Sequence, residues 1–320
     1  MKIIDIPKQV SRKVYEDAIT DMVKQLSKLD AVHSVYQIGS VSHLGISDID
    51  MLVVFHDDAN CHIDVRKSFG ANSYLFTHSL YGCSESHWKE LQDYTFFHNY
   101  RILYGKGFSE LSSSLYDHQI VKLQRQIAIE FLVKNYYTLS IQRKYKMVKA
   151  RSFLLEGKAL IYDMEFLGIH QGELWDLINR IIELRSNWFT MKDSKKEMLD
   201  CFQPLPDLIK ELLIKEFQHE PLFLPMIEEV ALSKNVRLVN HPVVTLKSQG
   251  VVPLTLGFLK ERKRFNALHR LNKFELMLPY EKPTLGDVNN RRFDFLSKVK
   301  SYNSRFLPNF LIPATSLKIS

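Results

Sequence analysis

An α+β fold is predicted by the distribution of apolar residues and by one change in its character. Up to about residue 108, short β-branched runs alternate with amphipathic stretches; from 116 to 217, long helical patterns replace them. After Pro221 the pattern weakens into mixed β-branched, Pro- and Gly-containing sequence. The predicted architecture is a small α/β module at 1–113, a helical bundle at 114–218 and a C-terminal mixed or helical extension at 219–320. A chain of 320 residues allows each of these its own core.

The elements follow in order. Residues 11–29 place Val14, Ala18, Ile19, Met22, Leu26 and Leu29 at helical spacing, with Ser11 as the cap. "SVYQIG" and "IDMLVVF" read as strands, and "SYLFTHSLYG" as a third. "SESHWKELQDYTFFHNY" reads as a helix, "RILYGKG" closes the module, and "SELSSS" at 109–114 is a linker. Residues 116–142, 144–167, 173–189 and 192–217 are predicted helices, the last broken at Pro204 and Pro206. "FLKERKRFNALHRLNKFELML" also reads as helical, and "RFLPNFLIPATSLKIS" as a terminal extension.

Composition excludes several classes. Three scattered cysteines, Cys61, Cys83 and Cys201, argue against a disulfide framework or a zinc site. The start of the chain lacks the apolar core of a signal peptide, and no apolar run would span a bilayer, so a cytoplasmic, reducing location is expected. A net charge of +7 favours polyanions or nucleotides, or simply a solvated basic face.

The chemistry concentrates in "QIGSVSHLGISDIDMLVVF", residues 37–55. Asp48 and Asp50 flank Ile49 at the head of an apolar run, and two acids placed two apart on a strand share a face. Such a pair suits a hard cation between the carboxylates. Gly39 permits close backbone approach, and Ser40 offers a hydroxyl and an N–H to an anion. The competing assignment has Asp48 capping a turn with Ser47 and Asp50 facing solvent; it leaves the Gly-Ser spacing unexplained.

"GSVSHLGISDIDMLVVF" resembles the signature of the polymerase-β-like nucleotidyltransferase superfamily, in which Gly-Ser and a short loop precede Asp-x-Asp entering an apolar strand. "GISDIDMLV" is similar to the form found in small bacterial members, and a helical domain follows the catalytic module in the antibiotic nucleotidyltransferases. The resemblance implies that Gly39 and Ser40 contact the phosphates of an NTP. It implies that Asp48 and Asp50 hold Mg²⁺ or Mn²⁺ while a nucleoside monophosphate passes to an acceptor: a small molecule, an RNA end or a protein side chain.

One departure stands out. The family carries a third carboxylate on the next strand, and here His78 occupies that place; Asp64 and Glu85 are the nearest other acids. His78 is expected either to serve as a general base or to be a packed strand residue. The missing acid motivates an alternative function, a catalytically degenerate module that binds nucleotide, RNA or a protein partner. Two basic groups complete the reading. "RKYKMVKAR" offers Lys146, Lys149 and Arg143 on one helical face as triphosphate contacts, or as a solvated face. Arg262, Lys263, Arg264, Arg270 and Lys273 surround Phe265, Leu268 and Leu271, and are expected to be the wet side of a packed helix rather than an RNA footprint.

Overall fold

Side chains alternate across a strand, and that alternation sorts the first third of the chain into two cores. The computed structural model describes residues 1–61, 63–95, 99–108, 113–225, 231–233, 235–249, 261–306, 310–312 and 316. Strand β1 (Lys2–Ile4) leads into α1 (Arg12–Leu26), β2 (Val32–Ile38) and β3 (Asp50–Phe55). A one-turn helix α2 (Val65–Ser68) and a 3₁₀ turn over Gly70–Tyr74 precede β4 (Tyr81–Ser84); α3 (Trp88–Thr95) and β5 (Arg101–Gly105) follow. Strands β4-β3-β2-β5, in that order, form one sheet, with β3 antiparallel to β2 and parallel to β4.

Strand β3 is central and covered on both faces. Leu52 and Val54 join Tyr36 and Ile38 in one core. Met51, Val53 and Phe55 join Val35 and the α1 residues Tyr15, Ala18, Met22 and Leu26 in the other. Double burial is why Met51–Phe55 reads as a continuous apolar run.

The third predicted strand is displaced. β4 begins only at Tyr81, so His78 lies on the loop before it. The Gly70–Tyr74 turn occupies the start of that stretch, because Phe69 and Phe76 stack there with ring centroids 4.2 Å apart.

Helix α4 (Asp117–Lys144), β6 (Met147–Lys149), α5 (Ala150–Phe166), α6 (Glu173–Asn187), α7 (Ser194–Phe202) and α8 (Leu205–Glu216) come next. Helix α4 packs against α5 and α8, and α5 against α6. The last contact is close: a Cβ on Gly157 would stand 2.5 Å from the Ile181 side chain. The break at Pro204 falls where proline predicts it. The helix expected to begin at residue 144 does not begin until Ala150. Met147–Lys149 are instead extended, because they pair in parallel with β1, and Lys146 turns the chain with a φ of 52°. Among the described residues no helix is long and apolar enough to cross a membrane.

The last third adds β7 (Leu222–Phe223), β8 (Ala231–Ser233), β9 (Val236–Asn240), β10 (Thr245–Gln249), α9 (Glu261–Leu271), β11 (Lys273–Leu278), β12 (Tyr280–Glu281) and α10 (Val288–Asn303). A second sheet has the order β10-β11-β9-β8. "KFELML", read as helical, is its strand β11, paired on both edges with Phe274 and Leu276 buried. On α9, Phe265 is buried as expected, whereas Leu271 is exposed; the side chains of Arg262, Arg264 and Arg270 lie outside the described residues.

Helix α10 then returns to the first sheet. It packs on β4 and α4, Asn303 Nδ2 donates to the Gly82 carbonyl at 2.8 Å, and Leu311 bridges to Tyr81. Phe306 and Phe310 pack on Phe55. The segment read as a terminal extension therefore supplies part of the N-terminal core.

Candidate metal centre

Register fixes what surrounds Asp50, the first residue of β3. Ile38 is its partner across the antiparallel ladder, so Gly39 and Ser40 leave β2 beside the incoming Asp48–Asp50 segment. Gly39 has a φ of 68°, and nothing stands within 4 Å of where its Cβ would be. Its backbone, like Ser40, is exposed at this end of the sheet.

The parallel neighbour supplies the third member. Tyr81 of β4 lies opposite Leu52, which carries the loop before β4 to the same end as Asp50. Ile49 N donates to the Leu75 carbonyl at 2.9 Å, and the Thr77 hydroxyl donates to Asp48 Oδ2. His78 Nε2 stands 2.8 Å from Asp50 Oδ1. One ligand atom from each of Asp48, Asp50 and His78 lies within 4.8 Å of the others, so the three can hold a metal ion. Asp48 precedes β3, so the two acids meet through the loop geometry and not through a shared strand face.

The electrostatics agree with a cation site. Burial pushes the Asp48 carboxyl above its ordinary range and the charge of Asp50 pushes it further; Thr77, His78 and Arg151 oppose this without cancelling it. Burial opposes charging of His78, but the Asp50 carboxylate, the bond to Ser79 and the charge of Asp48 outweigh it and raise the imidazole. Asp50 Oδ1 is buried with no donor aligned for a hydrogen bond, a group that a divalent ion would satisfy. Two carboxylates and an imidazole are a fitting donor set for such an ion.

The loop that carries Asp48 is held by side chains from four elements. Arg151, at the start of α5, donates from Nε to the Ile46 carbonyl at 2.9 Å and from Nη2 to the Ser47 carbonyl at 2.8 Å. Its Nη1 reaches the Tyr74 carbonyl, and its guanidinium lies 4.1 Å from the centroid of the Tyr74 ring. Tyr15 of α1 donates to the Ser47 carbonyl at 2.7 Å, and Tyr74 donates to the Gly45 carbonyl at 2.6 Å. From α6, Arg185 Nη2 donates to Ser47 Oγ at 3.0 Å. Burial lowers the Arg185 pKa against the favourable charge of Asp48. Gly45 has a φ of 82°, and a Cβ there would stand 1.9 Å from the Lys8 carbonyl oxygen.

No family model, curated protein or solved structure matches this chain. The resemblance to nucleotidyltransferases therefore rests on Gly39, Ser40, Asp48 and Asp50 themselves and on their arrangement.

Other residues singled out in the sequence lie elsewhere. Asp64 caps α2, accepting from Lys67 N at 3.1 Å. Glu85 pairs with His56 beyond Ser84, whose register partner is Phe55, the end of β3 opposite Asp50. Neither supplies a third carboxylate. Arg143, Lys146 and Lys149 share no helical face, because α4 ends at Lys144 and α5 starts at Ala150. Arg143 forms a two-pronged pair with Asp207, at 2.6 and 2.8 Å. Lys146 is exposed at its turn. Lys149 Nζ sits 4.9 Å from the Phe265 ring centroid and lines a cavity of about 210 Å³ with Glu156 and His269.

Arg185, Thr77 and Tyr15 were not assigned roles by sequence reasoning, and Arg151 was read only as the last member of the basic group "RKYKMVKAR", not as a brace for the Asp48 loop. One signal was available: Arg185 falls on the stripe of Ile178 and Ile181, and a cation on a buried stripe needs a partner.

Proposed function

We propose that this protein is a metal-dependent nucleotidyltransferase, moving a nucleoside monophosphate from an NTP to an acceptor hydroxyl. The observation that carries the reading is the meeting of Asp48, Asp50 and His78 beside the exposed Gly39–Ser40 backbone. In this reading the Gly39–Ser40 turn receives the triphosphate, and Asp48 and Asp50 hold Mg²⁺ or Mn²⁺. The bound ion would neutralise phosphate charge and sharpen the attacking oxygen. The acceptor oxygen bonds to the α-phosphorus as the bond to the bridging oxygen breaks. Pyrophosphate leaves with that electron pair, and the Asp50 carboxylate takes the hydroxyl proton. Both ring nitrogens of His78 are engaged, with Asp50 and with the Ser79 carbonyl, which favours a supporting role over that of free base. Helices α5 and α6 reach the site through Arg151 and Arg185, in keeping with a helical substrate domain beside a catalytic module.

A second reading has its own observation. Among the described residues no third carboxylate joins the cluster, as expected of a module that binds nucleotide without turning it over. Incubating the protein with each labelled NTP, Mg²⁺ or Mn²⁺ and a cell extract separates the two. Label transfer with pyrophosphate release that is lost in Asp50→Asn supports the enzyme. Nucleotide binding without release leaves the second reading standing, and no interaction with any nucleotide removes both.

A further inference from the structure

The identity of the ion depends on the third ligand, which here is a nitrogen. His78 Nδ1 lies 2.6 Å from the Ser79 carbonyl oxygen. A carbonyl only accepts, so Nδ1 carries the ring hydrogen and the neutral ring keeps its lone pair on Nε2. That lone pair faces Asp50 Oδ1 at 2.8 Å, and Oδ1 is itself buried without an aligned donor. With the ring protonated, Nε2–H and the carboxylate form an ion pair; once Nε2 gives up that proton, the two electron-rich atoms repel unless a cation lies between or beside them. Two ligands about 2.1 Å from one ion, at a right angle, stand about 3 Å apart. The 2.8 Å spacing fits adjacent ligands on a single ion, as it fits the imidazolium–carboxylate pair of the metal-free site. A bond from the far ring nitrogen to a backbone carbonyl is also the usual device for orienting a metal-binding histidine.

We infer that the Asp48–Asp50–His78 site takes a divalent transition ion of the Mn²⁺, Co²⁺ or Zn²⁺ type in preference to Mg²⁺, with His78 Nε2 as a direct ligand. The inference rests on the reading of these three residues as a cation site. Mg²⁺ is a hard ion that keeps its waters and gains little from imidazole, whereas the transition ions accept nitrogen readily. Thr77 and Ser79 would support the bound ion from behind its ligands: the first holds Asp48, the second the far ring nitrogen of His78.

The test uses the full chain, stripped of metal by a chelator and titrated calorimetrically with MnCl₂, ZnCl₂ or MgCl₂ in turn. Pulsed electron paramagnetic resonance on the Mn²⁺ form then reads directly bound nitrogen. Wild type should bind one Mn²⁺ with a nitrogen coupling. His78→Asp should lose the coupling and lower the Mn²⁺-to-Mg²⁺ affinity ratio by about tenfold or more. The coupling is read on wild type, so it decides the matter even where the variant fails to fold. Mn²⁺ bound without nitrogen coupling, Mg²⁺ bound as tightly as Mn²⁺, or an unchanged ratio in folded His78→Asp overturns the inference and leaves a metal-dependent enzyme standing. No binding of any ion overturns both.

Discussion

Asp48 and His78 both hold a proton more tightly in the folded chain than in the unfolded one. For a group raised in this way, stability is fully present below its unfolded pKa and is lost as pH rises through the folded value. The metal-free protein should therefore weaken as pH climbs out of the carboxylate range, and again above the ordinary imidazole value of about 6.5. Asp48→Asn should remove the first of these losses, leaving the metal-free Tm at neutral pH unchanged or slightly raised. A metal ion needs both groups deprotonated, so the gain in Tm on adding Mn²⁺ should grow with pH in wild type and vanish in Asp48→Asn. Thermal melts with chelator or Mn²⁺ at several pH values check both. A metal-free loss of about 1 kcal/mol or more in Asp48→Asn would mark the residue as an ordinary cap. At this scale the sequence was legible where contacts are local. Gly39, Ser40, Asp48 and Asp50 lie within one hairpin, and their spacing survives folding. Thr77 and Arg185 arrive from distant elements, and no local pattern pairs them with Asp48 or Ser47.

The elements that misled the sequence reading share one cause: their partners are far away in the chain. Met147–Lys149 is extended only because β1 lies beside it, and Lys273–Leu278 only because β9 and β10 flank it. In short apolar runs, helical and strand spacing cannot be told apart without that knowledge. The start of α5 matters for the site as well, since it aims Arg151 at the Asp48 loop. Arg151→Met should strip donors from the carbonyls of Ile46, Ser47 and Tyr74, costing about 3 kcal/mol or more in urea unfolding. Metal affinity should fall with it, because the loop loses its fixed path. Arg151→Lys should recover little, as an ammonium cannot reproduce a guanidinium fork. Gly45→Ala should behave like Arg151→Met, because its Cβ collides with backbone at Lys8.

At the scale of the whole molecule, α4 and α10 are tied by a buried ion pair. Arg292 and Glu130 are fully buried and meet at 2.6 and 3.1 Å, with Gln126 Nε2 donating to the same carboxylate at 2.9 Å. Glu130→Gln should cost about 3–5 kcal/mol, because it leaves a buried guanidinium without its counter-charge. The double replacement Glu130→Leu with Arg292→Met should regain most of that, and a two-by-two set of denaturation midpoints measures the coupling. The return of α10 was not legible: "RFDFLSKVKSYN" has an amphipathic pattern, but nothing in it names the sheet it covers.

That return has a consequence for how the protein is made. Tyr302 donates to the His56 carbonyl across 246 residues of chain, and Phe306 covers Phe55 beside it. At about 5–20 residues per second, the first sheet waits roughly 10–50 s after β3 is synthesised before its last cover exists. Throughout that interval Phe55 and the free edge of β4 are open to other chains, a hazard for any exposed strand. A ribosome-stalled chain ending near residue 218 should be cut by protease around Phe55, whereas the released protein resists there. Between those two states, a holdase added in trans should slow that cleavage, because the surface it would cover is the one α10 covers later.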